Sequence, residues 1–136
     1  MIVHSLKLVR NLLPGLILVF LLMPAALAGS IPVGKRAELQ LVLLGHIEAN
    51  SNSAGNRYRH FSGTETAPDY YQFSKLHPVI LQREGAYVLC ADFISETGAS
   101  VEMDFILVAD RRGYQVTQVI LNSRKTIMGY FRTFSE

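Results

Sequence analysis

The sequence predicts an α+β domain: an N-terminal helix, a four- to five-stranded antiparallel meander, and a C-terminal helix packed on one sheet face. Three observations carry this expectation. Apolar residues recur at three- and four-residue spacing near position 40 and again near position 128. Between them, runs of β-branched and aromatic residues alternate with polar ones. Short turn sequences separate those runs, which suits neighbouring antiparallel strands.

The first helix is expected over residues 35–49. Leu39, Val42, Leu43, His46 and Ile47 fall on one face, and Leu41 and Leu44 widen it, so the helix should be well buried. Asn50-Ser51-Asn52-Ser53 ends it. Residues 50–71 are rich in Ser, Asn, Gly and Thr and read as a long polar loop hiding a strand at residues 57–61. His77-Pro78 marks a turn, because proline restricts the residue ahead of it. Strands follow at residues 79–83, 86–95, 101–109 and 114–121, with turns at Glu84-Gly85 and Asp110-Arg111-Arg112-Gly113. Ser123 is placed to cap the closing helix, its hydroxyl accepting from a free N–H. That helix runs to about Phe134 with Ile127, Met128, Phe131 and Phe134 on its apolar face. No internal repeat is visible.

A turn over residues 96–100 sets Ser95 opposite Val101. Phe93, Ala91 and Leu89 then face Met103, Phe105 and Leu107 on the core side. On the other side Ile94 meets Glu102, Asp92 meets Asp104, Cys90 meets Ile106 and Val88 meets Val108. Two opposed aspartates repel across a ladder, so water, an arginine, a cation or a shared proton should offset them.

The N-terminus has the three parts of a cleavable signal peptide, residues 1–28. Lys7 and Arg10 form a positive head, residues 12–28 are uncharged, and Ala26-Leu27-Ala28 precedes Gly29 as a small-residue cleavage site. Pro14 and Pro24 interrupt a run shorter than the roughly 20 residues a spanning helix needs. The expectation is an exported protein, periplasmic or secreted, with a single small domain at residues 29–136 and no membrane span after signal removal. Of the 13 Lys and Arg, two leave with the leader, and the remaining 11 equal the 11 acids. Net charge therefore argues against a nucleic-acid partner. Cys90 is the only cysteine, which excludes an intramolecular disulfide, and its setting YVLCADF reads as a buried strand.

Asp92, Glu102 and Asp104 form the best acidic cluster, a candidate for a hard cation such as calcium or for an acid–base pair. An exposed sheet face with Arg83, Arg111 or Arg112 as counter-charge explains the same letters. The spacing of His46, His60 and His77 matches no zinc signature, and nucleophile and phosphate-loop motifs are absent. Arg57-Tyr58-Arg59-His60 is basic and aromatic, as a surface for an anionic ligand or partner would be. Arg124 and Lys125 put positive charge in the first turn of the last helix, against the helix macrodipole, where an anion could be held. No cofactor is implied.

Two resemblances follow from these residues. HPVILQREGAYVLCADFISETGASVEMDF, residues 77–105, resembles small exported bacterial proteins of unassigned function that share an HP…YVLCADF…DF pattern. Residues 104–134 are similar in cadence to the end of domains like nuclear transport factor 2 and of periplasmic phospholipid-carrier (toluene-tolerance) proteins, with Tyr114 where Trp is usual and Gln118 where Asp is usual. The second resemblance implies a curved sheet with helices against it and carriage of a lipid.

The functional expectation is a non-enzymatic, exported binding or accessory module for a protein or an apolar small molecule. A periplasmic carrier of an apolar ligand or lipid is the alternative, and an enzyme or cation site at Asp92 and Asp104 is the second.

Overall fold

The computed structural model describes residues 31–52, 55–63 and 66–132, with the side chains of residues 131 and 132 excepted. The proposed leader with Ala26, Ala28 and Gly29 lies outside the described residues, as does Phe134. Among the described residues no helix is long and apolar enough to cross a membrane.

Helix α1 (Val33–Ala49) leads into six antiparallel strands, β1 (Ser51–Asn52), β2 (Arg57–His60), β3 (Asp69–Arg83), β4 (Ala86–Ser95), β5 (Ser100–Asp110) and β6 (Gly113–Leu121), and helix α2 (Arg124–Arg132) closes the order. The strands pair in sequence order as one meander. The α+β class and the antiparallel sheet are as expected, but the described residues form six strands rather than four or five. The additional pairing comes from the polar segment. Residues 50–71 are not one long loop: β1 and β2 form a small hairpin, and β3 begins at Asp69. Its polar members, Asp69, Gln72 and Ser74, disguise a strand whose Tyr71 and Phe73 face the core.

Nor does His77-Pro78 make a turn ahead of a strand. β3 runs through it, with register shifts at Phe73/Lys75 and Leu76/Ile80. Proline has no N–H to give the ladder, so the chain bulges around it and resumes pairing at Ile80.

The core lies between α1 and one face of the sheet. Leu39, Leu43 and Ile47 of the helix meet Tyr58, Tyr71, Leu89, Ala91, Phe93, Met103, Phe105 and Leu107. Helix α1 is buried along this stripe only. Leu41 and Leu44, expected to widen it, are 69% and 39% exposed, because the helix packs against one layer and nothing described covers its outer side. Asn50 ends the helix by donating from its side-chain Nδ2 to the His46 carbonyl at 2.8 Å, and Ser51 Oγ donates to the Ile47 carbonyl.

The two helices do not share a face. Successive residues of a strand point to opposite sides. Met103, Phe105 and Leu107 pack with α1, whereas Asp104 and Ile106 meet Arg124 and Ile127 of α2. Ser123 precedes α2 as its sequence suggests, but its hydroxyl donates to the Leu121 carbonyl at 3.0 Å, and its own carbonyl accepts from Ile127 N–H.

The central hairpin pairs two residues out of the expected register. Phe93 faces Val101, Asp92 faces Glu102, Cys90 faces Asp104, and Leu89 faces Phe105. The cause is a tighter loop: Ser95 N–H donates to Ala99 O, and Gly98 takes a left-handed φ of 82°. Glycine adopts that conformation without the steric cost other residues carry, which permits a three-residue hairpin loop. An even shift keeps every residue on its expected face while changing its partner.

His46 sits half-buried at the margin of the core, its Nε2 3.2 Å from the Tyr58 hydroxyl and its ring edge-on to Phe105. Burial lowers its pKa from the ordinary 6.5. The unfolded chain therefore binds the proton first on acidification. Stability from this group is full above pH 6.5 and is lost as pH falls from 6.5 through the depressed folded value. Urea unfolding across that window should show the decline, and a His46→Gln variant should flatten it. An equal slope in both proteins would remove His46 as its source.

Candidate functional site

The sheet face opposite α1 carries the concentrated chemistry. It is built from Lys75 and His77 of β3, Cys90 and Asp92 of β4, Glu102 and Asp104 of β5, and Arg124 at the start of α2. The bulge at Pro78 puts His77 beside the β4–β5 ladder, where Nε2 donates to Asp92 Oδ1 at 2.8 Å. The other ring nitrogen, Nδ1, lies 4.0 Å from Glu102 Oε2. Lys75 Nζ approaches Asp92 Oδ2 at 3.4 Å. The His77 hydrogen bond, followed by the nearby positive charges, holds the Asp92 carboxyl below the usual carboxylate range despite some burial.

The two aspartates are not directly opposed, which corrects the expected register. The like-charge pair across the ladder is Asp92 with Glu102, and His77 sits against both. Asp104 is instead next to Cys90 and fully buried. Its counter-charge is none of the arginines expected from sequence: Arg124 Nη1 donates to Asp104 Oδ1 at 2.7 Å. This pairing explains the positive residue in the first turn of α2. Arg124 turns inward to a buried carboxylate, while Lys125 is exposed. Asp104 Oδ2 is buried without a hydrogen-bond partner among the described residues.

Cys90 is buried, as its sequence setting suggested. The structure adds a neighbour that linear spacing did not reveal. The ligating atoms of His77, Cys90 and Glu102 all lie within 4.8 Å of one another. Residues 13 and 25 positions away from His77 meet it because β3, β4 and β5 are adjacent. The closest sequence signal was His-Pro just ahead of a strand, whose bulge was not legible. Burial, then the charges of Asp104 and Glu102, push the Cys90 thiol well up, so it is held protonated rather than activated.

The same face becomes apolar toward its other end. Ala86, Ile106, Ile120 and Ile127 line an open groove of about 420 Å³ between α2 and the sheet. Arg83 borders it, its guanidinium 3.8 Å from the centre of the Tyr130 ring.

Arg57-Tyr58-Arg59-His60 does not form one surface. Tyr58 points into the core, and burial pushes its hydroxyl up to about 12. Arg57 pairs with Glu96 at 2.9 Å, Arg59 Nε donates to the Asn50 carbonyl, and His60 packs edge-on against Tyr71. Alternation along a strand separates these neighbours in sequence. The sheet also curls: Tyr58 and Phe61 near one edge and Val116 and Val119 of β6 at the other line a single cleft beside the end of α1.

Comparison with protein-family models, curated proteins and solved structures gave no match for this chain.

Proposed function

We propose that this protein is an exported, non-enzymatic binding module whose ligand surface is the groove under α2. The observation that carries this reading is the groove itself, about 420 Å³ of mainly apolar lining set beside charged groups. Ligand sites are typically concave, mostly apolar, and oriented by a few polar groups. A small ligand with an apolar body fits those walls. The groove is open and lies under α2, so it favours an exchangeable ligand over one sealed in the core.

An enzyme is the weaker reading. An acid–base pair at Asp92 and Asp104 calls for a carboxyl held high, yet His77 holds Asp92 low. A Cys90–His77–Asp92 nucleophile calls for an accessible thiolate, and this thiol is buried and pushed up.

The test is fluorescence titration of the whole protein with anilinonaphthalene sulfonate, an anionic apolar probe. One saturable site is expected, weakened at least about tenfold, equivalent to about 1.4 kcal/mol, in Ile120→Lys. Unchanged binding by a variant that retains the native circular dichroism would overturn the groove as the ligand surface.

A further inference from the structure

Beside the groove, and separately from it, we propose that His77, Cys90, Glu102 and Asp104 form a binding site for a borderline transition cation, with zinc its natural occupant. Three donors are already gathered, since the ligating atoms of His77, Cys90 and Glu102 lie within 4.8 Å of one another. Imidazole nitrogen, thiolate sulfur and carboxylate oxygen are the donor types zinc uses, at about 2.0–2.3 Å. Tetrahedral contacts of that length set neighbouring donors roughly 3.3–3.8 Å apart, so drawing these three onto an ion asks for side-chain movements of about 1 Å, and Asp104, which lies outside the 4.8 Å group, must come further.

The fourth donor is marked independently. Asp104 is fully buried, opposite Cys90 in the ladder, and its Oδ2 has no partner among the described residues although Oδ1 is held by Arg124. A buried carboxylate oxygen left unpaired is costly, and nothing described in the fold satisfies it. A cation held by Cys90 would.

Asp92 supports the site without joining it. Metal-bound histidines commonly donate their other N–H to a carboxylate, which fixes the tautomer and the ring direction. His77 is set that way: Nε2 donates to Asp92, leaving Nδ1 directed toward Glu102. The charges also close. The cation displaces the Cys90 proton to solvent on binding; Asp92, Glu102, Asp104 and the resulting thiolate then carry four negative charges, Lys75 and Arg124 two positive, and a divalent cation supplies the difference. Sulfur and imidazole argue against calcium and magnesium, which prefer all-oxygen sets. This replaces the hard-cation site expected at Asp92, Glu102 and Asp104. Two of those carboxylates become ligands, and the third orients a histidine. His77 and Glu102 remain partly exposed and give a path for the ion.

The experiment is titration of chelator-treated, full-length protein with cobalt(II), followed by zinc. The expected result is a thiolate-to-cobalt charge-transfer band in the near ultraviolet, with tetrahedral visible bands, that saturates at one equivalent and is bleached by zinc. Cys90→Ser should abolish the charge-transfer band. Because Cys90 is in the interior, His77→Gln provides a second variant at a partly exposed position, and it should weaken cobalt at least about a hundredfold. Asp92→Asn should weaken it about 10- to 100-fold while keeping the spectrum, as expected of a residue that orients a ligand. Absence of the thiolate band in the wild type, or His77→Gln binding with wild-type affinity, would overturn the site. Binding of calcium in preference to zinc would overturn the donor assignment.

Discussion

Replacing Arg124 by alanine should destabilise the protein by about 3–5 kcal/mol, the usual consequence of stripping the partner from a buried charge. Asp104 is fully buried, and the Arg124 side chain is itself only 15% exposed, so solvent does little to screen their 2.7 Å contact. Without Arg124 the carboxylate keeps its desolvation penalty and loses its compensation. For a domain of this size the loss corresponds to a fall in Tm of roughly 12 °C or more. The pair itself need not be strongly stabilising, since attraction and desolvation largely cancel. A double variant, Arg124→Met with Asp104→Leu, should therefore recover most of the loss. Urea unfolding in chelator, which removes any metal contribution from Asp104, measures both. If Arg124→Ala alone cost less than about 1 kcal/mol, the carboxylate would have to be solvated, and the buried pair would not be what anchors α2.

Phe93→Ala should cost a comparable amount, about 3–5 kcal/mol, for an unrelated reason. Phe93 is fully buried near the C-terminal end of β4, with the rings of Tyr58, Phe73 and Phe105 centred at 5.4, 5.7 and 6.1 Å. Those rings come from β2, β3 and β5, and hydrogen-bonded strands hold them apart, so the cavity cannot easily collapse. The neighbouring Ile94, on the opposite face and 38% exposed, provides the contrast: Ile94→Ala should lose far less. Similar losses at the two positions in equilibrium unfolding would contradict the one-sided core.

Several features of the fold are legible in the sequence alone. The α1 stripe of Leu39, Leu43 and Ile47, the extent of β4, and the inward set of Leu89, Ala91, Phe93, Met103, Phe105 and Leu107 follow from helical and strand periodicity. Face assignment needs only the period of two and survives any even slip in register. Partner assignment does not. The turn at Gly98 shifted the ladder by two residues and exchanged the Asp92–Asp104 pairing for Asp92–Glu102 and Cys90–Asp104.

Position along the chain also concealed the site's other members. His77, set in a bulge imposed by Pro78, and Arg124, at the start of a helix, had no local feature tying them to Cys90 or Asp104. Charge signs and acidic spacing in the sequence identified Asp92, Glu102 and Asp104 as worth weighing together. Bringing His77 and Cys90 to them required three strands in register, and neutralising Asp104 required α2 on the face opposite α1. Local periodicity determined which side chains are inward, because it is set by backbone geometry within a few residues. Which inward or polar groups meet was decided by turn lengths, a bulge and helix placement, which act between segments far apart in the chain.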